Sequence, residues 1–482
     1  MKTRNRDDEY SGIARVVCAL LVAFATSAGP ATAGEVTGAP EYEIEPCCDL
    51  CTRASDPASY DTGFLELFRL LVEGEGGWLF RSEQELREDF GPTQEGLSQL
   101  RRFARHLKEE KGTELVLVFH PTKGLVHPDK LPFDAPVTFA WPRARDNYRE
   151  ALGRLRDTGM IVPDLTPLLA EPPKDDAYYF ERDHHWSPYG ARRAARLVAQ
   201  RIRQLPVYSE LEKKTFETRR VGLLRRRGTL QVAAERLCGF SYPNQYVNEF
   251  RTELASSGED GLGDALFGEA SLPSVTLVGT SFSKGTLNFN FAGALQEFLG
   301  VEVLNLALTG GSYDGAILDY LKSDSFHEAA PEILIWEVPS YHQMNNQDFY
   351  RQLMPLVTNA CEPQPPILQS TATLKAGVNE VIFNGGGRFL VLPSPNYVID
   401  LQFSDSSIRR LEATTWFVAD RSDRIKMEYS DRTSDSGRFV FELPKGESWE
   451  KENFMSLELE MLPEQISEGL TVTAKLCKRE DL

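Results

Sequence analysis

Between Asp56 and Pro339 the sequence alternates segments of helical periodicity with short apolar runs. Residues 93–110 place their apolar side chains on one helical stripe, and residues 188–205, rich in Ala and Arg, are also helical in pattern. The apolar runs have the length and composition of buried strands and lie at residues 115–119, 275–278, 301–306 and 333–336. This alternation predicts an α/β domain built on a parallel sheet flanked by helices.

Polar residues follow three of these runs directly. Ser281 comes after the second run, His120-Pro121-Thr122-Lys123 after the first, and Glu337-Val338-Pro339 after the last. Functional sites in open parallel sheets collect beyond the carboxyl ends of the strands. We therefore expect these residues to be neighbours.

The pattern changes after Phe349. Short alternating runs, separated by Gly, Pro, Ser and Asp clusters, lie at residues 380–383, 389–392, 397–401, 439–441 and 457–460. They are typical of a β-sandwich. A chain of 482 residues is long enough for two domains. We predict an α/β domain over 34–347 and a sandwich over 348–482.

The N-terminus is typical of an export signal. Basic residues precede an apolar stretch from Val16 to Ala25, and Ala31-Thr32-Ala33 offers a small-residue cleavage site. The stretch is shorter than the roughly 20 residues that span a bilayer, although an uncleaved anchor is the alternative. We predict a signal peptide over residues 1–33 and a mature chain outside the cytoplasm.

The cysteines agree with an oxidising compartment. Without the signal, six remain, at positions 47, 48, 51, 238, 361 and 477. Cys361 and Cys477 bracket the last segment and are expected to pair. Cys238 is expected to pair with one of the first three, among which the sequence does not decide; Cys51 is our candidate. No histidine or second cysteine pair stands nearby at ligand spacing, so no metal is expected.

Net charge limits the partners. The chain has 53 basic and 71 acidic residues, a net charge of −18. This argues against binding nucleic acid or anionic membrane surfaces. The densest basic cluster, at residues 219–220 and 225–227, is interpreted as a solvated charged loop, with a basic groove for a polyanionic substrate as the alternative.

Two motifs indicate serine chemistry. Gly279-Thr280-Ser281-Phe282-Ser283 follows a strand, and Asp183-His184-His185-Trp186 lies about a hundred residues upstream. A serine hydroxyl needs a base, and the imidazole needs a carboxylate that fixes its tautomer. Asp183 and His185 are close enough to meet on a loop before a helix starting at Pro188. We predict Ser281 as nucleophile rather than Ser283, because Ser281 is nearer the strand end.

Other features refine this prediction. The serine motif lacks the final glycine of the Gly-x-Ser-x-Gly elbow, which disfavours an ordinary α/β-hydrolase. Trp186 is interpreted as a packing residue that fixes the histidine segment. Lys123 is a candidate for gripping a sugar carboxylate, with a surface lysine as the alternative.

The paired motifs Gly-Thr-Ser-x-Ser and Asp-x-His-Trp resemble those of SGNH-like polysaccharide O-acetyltransferases. The similarity extends over nearly the whole chain, including residues 115–126, 183–191 and 334–337. The resemblance implies a circularly permuted SGNH-hydrolase-like domain followed by a carbohydrate-binding β-sandwich. It also implies a periplasmic enzyme that acetylates mannuronate units of alginate without a cofactor of its own. Its partners would be the polymannuronate chain, an acetyl-donor relay and export-complex proteins of the envelope.

The resemblance assigns roles to individual residues. Asp183 would orient His185, His185 would be the base, and Ser281 the nucleophile. Tyr341 falls, by spacing, where the family has an active-site tyrosine.

In the sandwich the resemblance implies that Trp416 stacks on a sugar, with Thr414 and Arg421 or Arg424 nearby. Of the two arginines, Arg424 is our candidate. Glu412 stands where a basic residue is expected.

Two other functions compete with acetyl transfer: an esterase using the same centre, and a non-catalytic polysaccharide-binding scaffold.

Overall fold

The computed structural model of the protein describes residues 50–131, 139–169, 176–255 and 272–479. The expected signal peptide, residues 1–33, lies outside this part of the chain, as do Cys47 and Cys48. Within the described ranges, none of the helices combines the length and hydropathy needed to cross a bilayer.

The helices and strands are numbered in chain order. The helices are α1 Gly63–Glu66, α2 Ser82–Glu85, α3 Gln94–Lys111, α4 Lys123–Val126, α5 Trp141–Arg156, α6 Pro188–Ile202, α7 Thr229–Cys238, α8 Phe291–Leu299, α9 Gly315–Lys322, α10 Asp324–Glu328 and α11 Gln347–Val357. The strands are β1 Leu71–Glu73, β2 Leu79–Arg81, β3 Glu114–His120, β4 Phe216–Arg226, β5 Gln245–Leu254, β6 Val275–Val278, β7 Val303–Asn305, β8 Ile333–Pro339, β9 Leu368–Thr373, β10 Gly377–Phe383, β11 Tyr397–Phe403, β12 Arg410–Phe417, β13 Arg421–Glu428, β14 Arg438–Glu442, β15 Phe454–Met461 and β16 Thr471–Lys478.

A four-stranded parallel sheet carries the first domain. Its order is β3-β8-β6-β7, and all three strand pairs are parallel. Every residue of β8 is buried, as expected for a central strand covered on both faces. Helices α3, α5, α9 and α11 pack on one face, while α6 and α8 pack on the other. The predicted parallel α/β architecture is confirmed.

A two-stranded antiparallel ribbon formed by β4 and β5 lies outside this sheet. The arginines at 219–220 and 225–226 lie on β4, so their interpretation as a loop is wrong. Disulfide Cys51–Cys238 joins the segment before α1 to the end of α7, which connects the two strands. The partner of Cys238 that the sequence left open is therefore Cys51.

The second domain is a sandwich of two antiparallel four-stranded sheets. Their orders are β10-β15-β12-β13 and β14-β11-β16-β9, and apolar side chains fill the space between them. Disulfide Cys361–Cys477 closes the domain, as predicted. Residues 389–392 form no strand, although their apolar run predicted one; Val391 is largely exposed.

Helix α11 connects the domains. It begins at the boundary we expected, but its side chains pack in the core around the parallel sheet. From there Arg351 donates to Asp423 of the sandwich at 2.7 Å, and Arg102 of α3 pairs with Glu442. The helix thus packs against both domains.

Candidate active site

The turn after β6 presents Ser281. Strand β6 ends at Val278, and the turn is closed by hydrogen bonds from Ser283 N to Thr280 O and from Lys284 N to Ser281 O. Ser281 is partly exposed, whereas Ser283 is buried and its hydroxyl donates to Glu337 at 3.1 Å. The geometry therefore favours Ser281 over Ser283 as the reactive hydroxyl.

Glu337 of β8 supports this turn from below. Its fully buried carboxylate accepts hydrogen bonds from Thr280 N at 2.9 Å and from the Thr280 hydroxyl at 3.0 Å. On its other oxygen lies His120 Nε2, at 3.0 Å. Gly279 passes so close that a Cβ there would lie 2.7 Å from Oε2 of Glu337. The ends of β3, β6 and β8 thus meet around one carboxylate, as their shared edge predicted.

The segment that carries the acid and the base precedes α6. Ser187 caps that helix by accepting from Gly190 N at 3.1 Å, and Pro188 occupies the first turn. Asp183 and His185 consequently lie on the loop before the helix, as predicted. Trp186 is fully buried and its Nε1 donates to Phe282 O at 2.8 Å. Its interpretation as a packing residue is confirmed, and it ties the loop to the nucleophile turn.

Asp183, His185 and Ser281 form a continuous chain of hydrogen bonds, the relay. His185 Nδ1 lies 2.6 Å from Oδ1 of Asp183, and His185 Nε2 lies 2.7 Å from Oγ of Ser281. A proton can therefore pass from the hydroxyl to an imidazole whose other nitrogen is held by a carboxylate. This arrangement suits attack by serine on an acyl carbon.

Asp183 is held by two residues on either side of the β4–α7 turn. Arg226 Nε donates to Oδ2 at 2.7 Å, and Thr229 donates from its N–H at 3.2 Å and its hydroxyl at 3.1 Å. The Thr229 hydroxyl also lies 2.7 Å from Nδ1 of His184. Sequence reasoning missed both residues. The basic run containing Arg226 gave no sign of a partner more than forty positions away.

The charges around the relay set its protonation. Burial alone would raise the pKa of Asp183, but His185 and Arg226 outweigh it and hold that pKa well below its usual range. Burial lowers the pKa of His185; Asp183 opposes this effect, while the charges of Arg226 and Arg81 add to it. Near neutral pH the relay accordingly contains a carboxylate and a neutral imidazole, the states that a general base requires.

A metal fits this donor set poorly. Possible ligand atoms of Asp183, His184 and His185 lie within 4.8 Å of one another. Their hydrogen bonds already join them to Thr229, Arg226 and Ser281. The Arg226 guanidinium against the carboxylate also opposes a cation there.

Lys123 is one of the predicted substrate-binding residues. Lys123 is fully buried, and its ammonium donates to the carbonyls of Leu79, Glu181 and Asp183. The prediction that Lys123 grips a sugar carboxylate is therefore wrong, because its amine is directed at main-chain carbonyls instead.

Tyr341 lies two residues beyond β8, with its ring 4.9 Å from the guanidinium carbon of Arg81. Burial raises the pKa of Tyr341 to about 12. A substrate contact by Tyr341 stays a prediction.

The predicted sugar-binding residues of the sandwich share the outer face of one sheet. Thr414 and Arg424 are direct cross-strand partners, and Trp416 lies two positions along β12. Trp416 Nε1 donates to Glu458 at 2.8 Å, which fixes the indole. Arg424 pairs with both Glu412 and Glu460. Their role in binding sugar stays a prediction.

Comparison with known proteins identifies the family of this chain. The family model described as SGNH hydrolase-like domain, acetyltransferase AlgX, matches residues 71–340, and a C-terminal carbohydrate-binding module matches residues 360–482. Alginate biosynthesis protein AlgX of Pseudomonas aeruginosa is 40% identical over 479 residues, covering 99% of this chain and 97% of the relative. The chain belongs to the AlgX family.

The solved structure of Pseudomonas aeruginosa AlgX has the same fold as this AlgX-family chain. It superposes with a TM-score of 0.79 at 40% identity and covers 89% of this chain and 99% of the solved one. The probable alginate O-acetylase AlgJ of Pseudomonas aeruginosa is 30% identical over 278 residues, covering 56% of this chain and 69% of that protein. The SGNH-like fold and the carbohydrate-binding module predicted by resemblance are confirmed.

Proposed function

We propose that this chain is a periplasmic O-acetyltransferase that acetylates mannuronate hydroxyls of alginate. The observation that carries the proposal is the closed relay of Asp183, His185 and Ser281, with hydrogen bonds of 2.6 and 2.7 Å. The names of the AlgX and AlgJ relatives supply the polysaccharide. The export signal predicted from the sequence and the two disulfides support the compartment.

In the first half-reaction, Oγ of Ser281 attacks the carbonyl carbon of an acetyl donor while His185 Nε2 takes the hydroxyl proton. The Ser281 N–H stabilises the oxyanion, an interaction of the kind worth about 10²–10³ in rate. The tetrahedral intermediate then expels the donor group, which receives the proton from His185. The product is acetyl-Ser281.

In the second half-reaction, a sugar hydroxyl attacks acetyl-Ser281 and gives its proton to His185 Nε2. Collapse of the intermediate releases the acetylated sugar, and the proton returns to Oγ of Ser281. Asp183 stays ionised throughout and stabilises the imidazolium.

The sandwich supports a polymeric acceptor. The outer face that carries Thr414, Trp416 and Arg424 offers an indole for stacking on a sugar, beside an arginine that Glu412 and Glu460 hold in place. We propose that this face holds the polymer while the relay acts on it. The further proposed partners are a protein that delivers the acetyl group and the proteins of the export complex.

The competing functions differ in the fate of the acetyl-serine. An esterase gives its acetyl group to water, whereas a transferase gives it to a sugar. A scaffold without catalysis forms no acetyl-serine at all.

The test incubates the mature protein with a chromogenic acetyl ester, with and without mannuronate oligomers. Ser281→Ala should lower turnover by about 10⁴-fold or more, because the triad acts as a unit. Ser283→Ala is the matched control and should stay within about tenfold, since it loses one hydrogen bond that orders the turn.

Oligomers that gain the mass of an acetyl group identify a transferase. Release of acetate with unmodified oligomers would instead identify an esterase. Unchanged turnover in Ser281→Ala, with its thermal midpoint also unchanged, would refute the proposed nucleophile.

A further inference from the structure

A polar cavity of about 240 Å³ lies beside the nucleophile turn. Its wall is made by β5, the segment between the nucleophile turn and α8, the first turn of α8, and the end of β7. Its polar lining includes the side chains of Glu249, Arg251, Asn288, Asn290 and Asn305. Pockets for drug-sized ligands measure roughly 300–1,000 Å³, so a cavity of this size suits a single sugar ring.

This cavity and the relay share one piece of chain. Ser283, which lines the cavity, follows Ser281 by two residues. Asn305 Nδ2 donates to Ser283 O at 2.7 Å and so joins the end of β7 to the nucleophile turn. The cavity therefore borders the turn that carries Ser281.

Arg251 is the cationic side chain of the cavity, and Glu249 is its anionic one. It is exposed on β5, and within the part of the chain that the structure describes no hydrogen bond or ion pair of its side chain is present. Arg219, its direct partner on β4, is different because it pairs with Glu253 at 3.3 Å. An arginine without a protein carboxylate can bind a ligand carboxylate through two parallel hydrogen bonds.

The Asn290 amide of the cavity is held in place. Asn290 Nδ2 donates to the Thr252 hydroxyl at 2.9 Å, and that hydroxyl lies 2.8 Å from the Thr218 hydroxyl. Gly293 approaches the Asn290 side chain so closely that a Cβ there would clash with it. Donors and acceptors fixed before binding lose little entropy when they meet sugar hydroxyls.

We propose that this cavity is a subsite for a uronate residue next to the one that is acetylated. Arg251 binds its carboxylate, and Glu249 and the asparagine amides bind its hydroxyls. This subsite rests on the proposed function, which supplies the polysaccharide acceptor. It explains how the centre selects an acidic polysaccharide over a neutral one.

The test compares Arg251→Gln with Arg219→Gln, which removes the same charge from the same ribbon outside the cavity. Both are made in a Trp416→Ala background, so that binding at the sandwich contributes least. The substrates are mannuronate oligomers and the same oligomers with their carboxylates reduced to alcohols. Acetyl transfer gives KM and kcat, and calorimetry gives Kd.

Loss of one charge-assisted pair is expected to raise KM and Kd for the uronate oligomer about tenfold in Arg251→Gln, with kcat within about twofold. Its preference over the reduced oligomer should fall by the same factor. Arg219→Gln should match the parent. Ala292→Phe, which fills the cavity, should weaken binding of both oligomers.

Unchanged KM and Kd for the uronate oligomer in Arg251→Gln would overturn the subsite. If the parent protein transfers no acetyl group but Kd still depends on Arg251, the proposed function fails and the subsite stands. The two conclusions are therefore separable.

Discussion

Replacing Glu337 with glutamine tests whether one buried carboxylate holds the nucleophile turn. Glu337 accepts from Thr280 N, the Thr280 hydroxyl and the Ser283 hydroxyl at 2.9, 3.0 and 3.1 Å. Its other oxygen faces His120 Nε2 at 3.0 Å. In Glu337→Gln the amide oxygen can keep the first three donors, while the amide nitrogen faces the His120 ring.

The variant therefore loses charge rather than partners. A hydrogen bond to a charged group is worth about 1.5–3 kcal/mol and a neutral one about 0.5–1.5, so each bond weakens by about 1 kcal/mol. Three weakened bonds make about 3 kcal/mol of lost stability, an upper figure because glutamine also avoids the desolvation of a buried charge. A turn that moves by about 1 Å costs up to about 10²-fold in turnover.

Urea unfolding and acetyl ester turnover measure the two effects. Glu332→Gln is the matched control, because Glu332 is exposed just before the same strand and should change stability by less than about 0.5 kcal/mol. A Glu337→Gln protein with the stability and turnover of the parent would refute the reasoning, since the turn would then be held by something other than this charge.

Two further predictions concern the same centre. Gly279→Ala should cost about 1–3 kcal/mol of stability and lower turnover, because the new Cβ would clash with the side chain of Glu337. A urea unfolding midpoint equal to that of the parent would contradict this prediction. Turnover should fall as the pH drops through the pKa of His185, since protonation removes the base. Because burial lowers that pKa, the midpoint of the pH profile of kcat/KM should lie below the usual value of about 6.5. A midpoint above that value would be inconsistent with the buried imidazole.

Much of the fold could be predicted from the sequence. The run at Val275–Val278 is the strand that was expected, and helix α6 begins at Pro188 behind its Ser187 cap. These features depend on neighbouring residues, whose periodicity and capping chemistry act over one or two turns. The placement of Asp183 and His185 on the loop before α6 results from the same local signals.

Other predictions failed where the local pattern was ambiguous. The arginine-rich segment before residue 227 lacks a clear apolar alternation, so its strand character was missed. The opposite error occurred at residues 389–392, where an apolar run lies outside any strand and leaves Val391 exposed. In both places the outcome depends on pairing with a distant segment rather than on the local pattern: β4 pairs with β5 along its length, whereas residues 389–392 lie outside the described strands.

The sequence by itself determined the strand and turn that carry Ser281, the acid and base spaced to meet on a loop, and the pairing of Cys361 with Cys477. Only the tertiary structure decided that Arg226 and Thr229 hold Asp183, that Glu337 anchors the nucleophile turn, and that Lys123 is buried. The reason is that periodicity and capping depend on contiguous residues, whereas a buried ion or hydrogen bond depends on which distant strands the topology brings together.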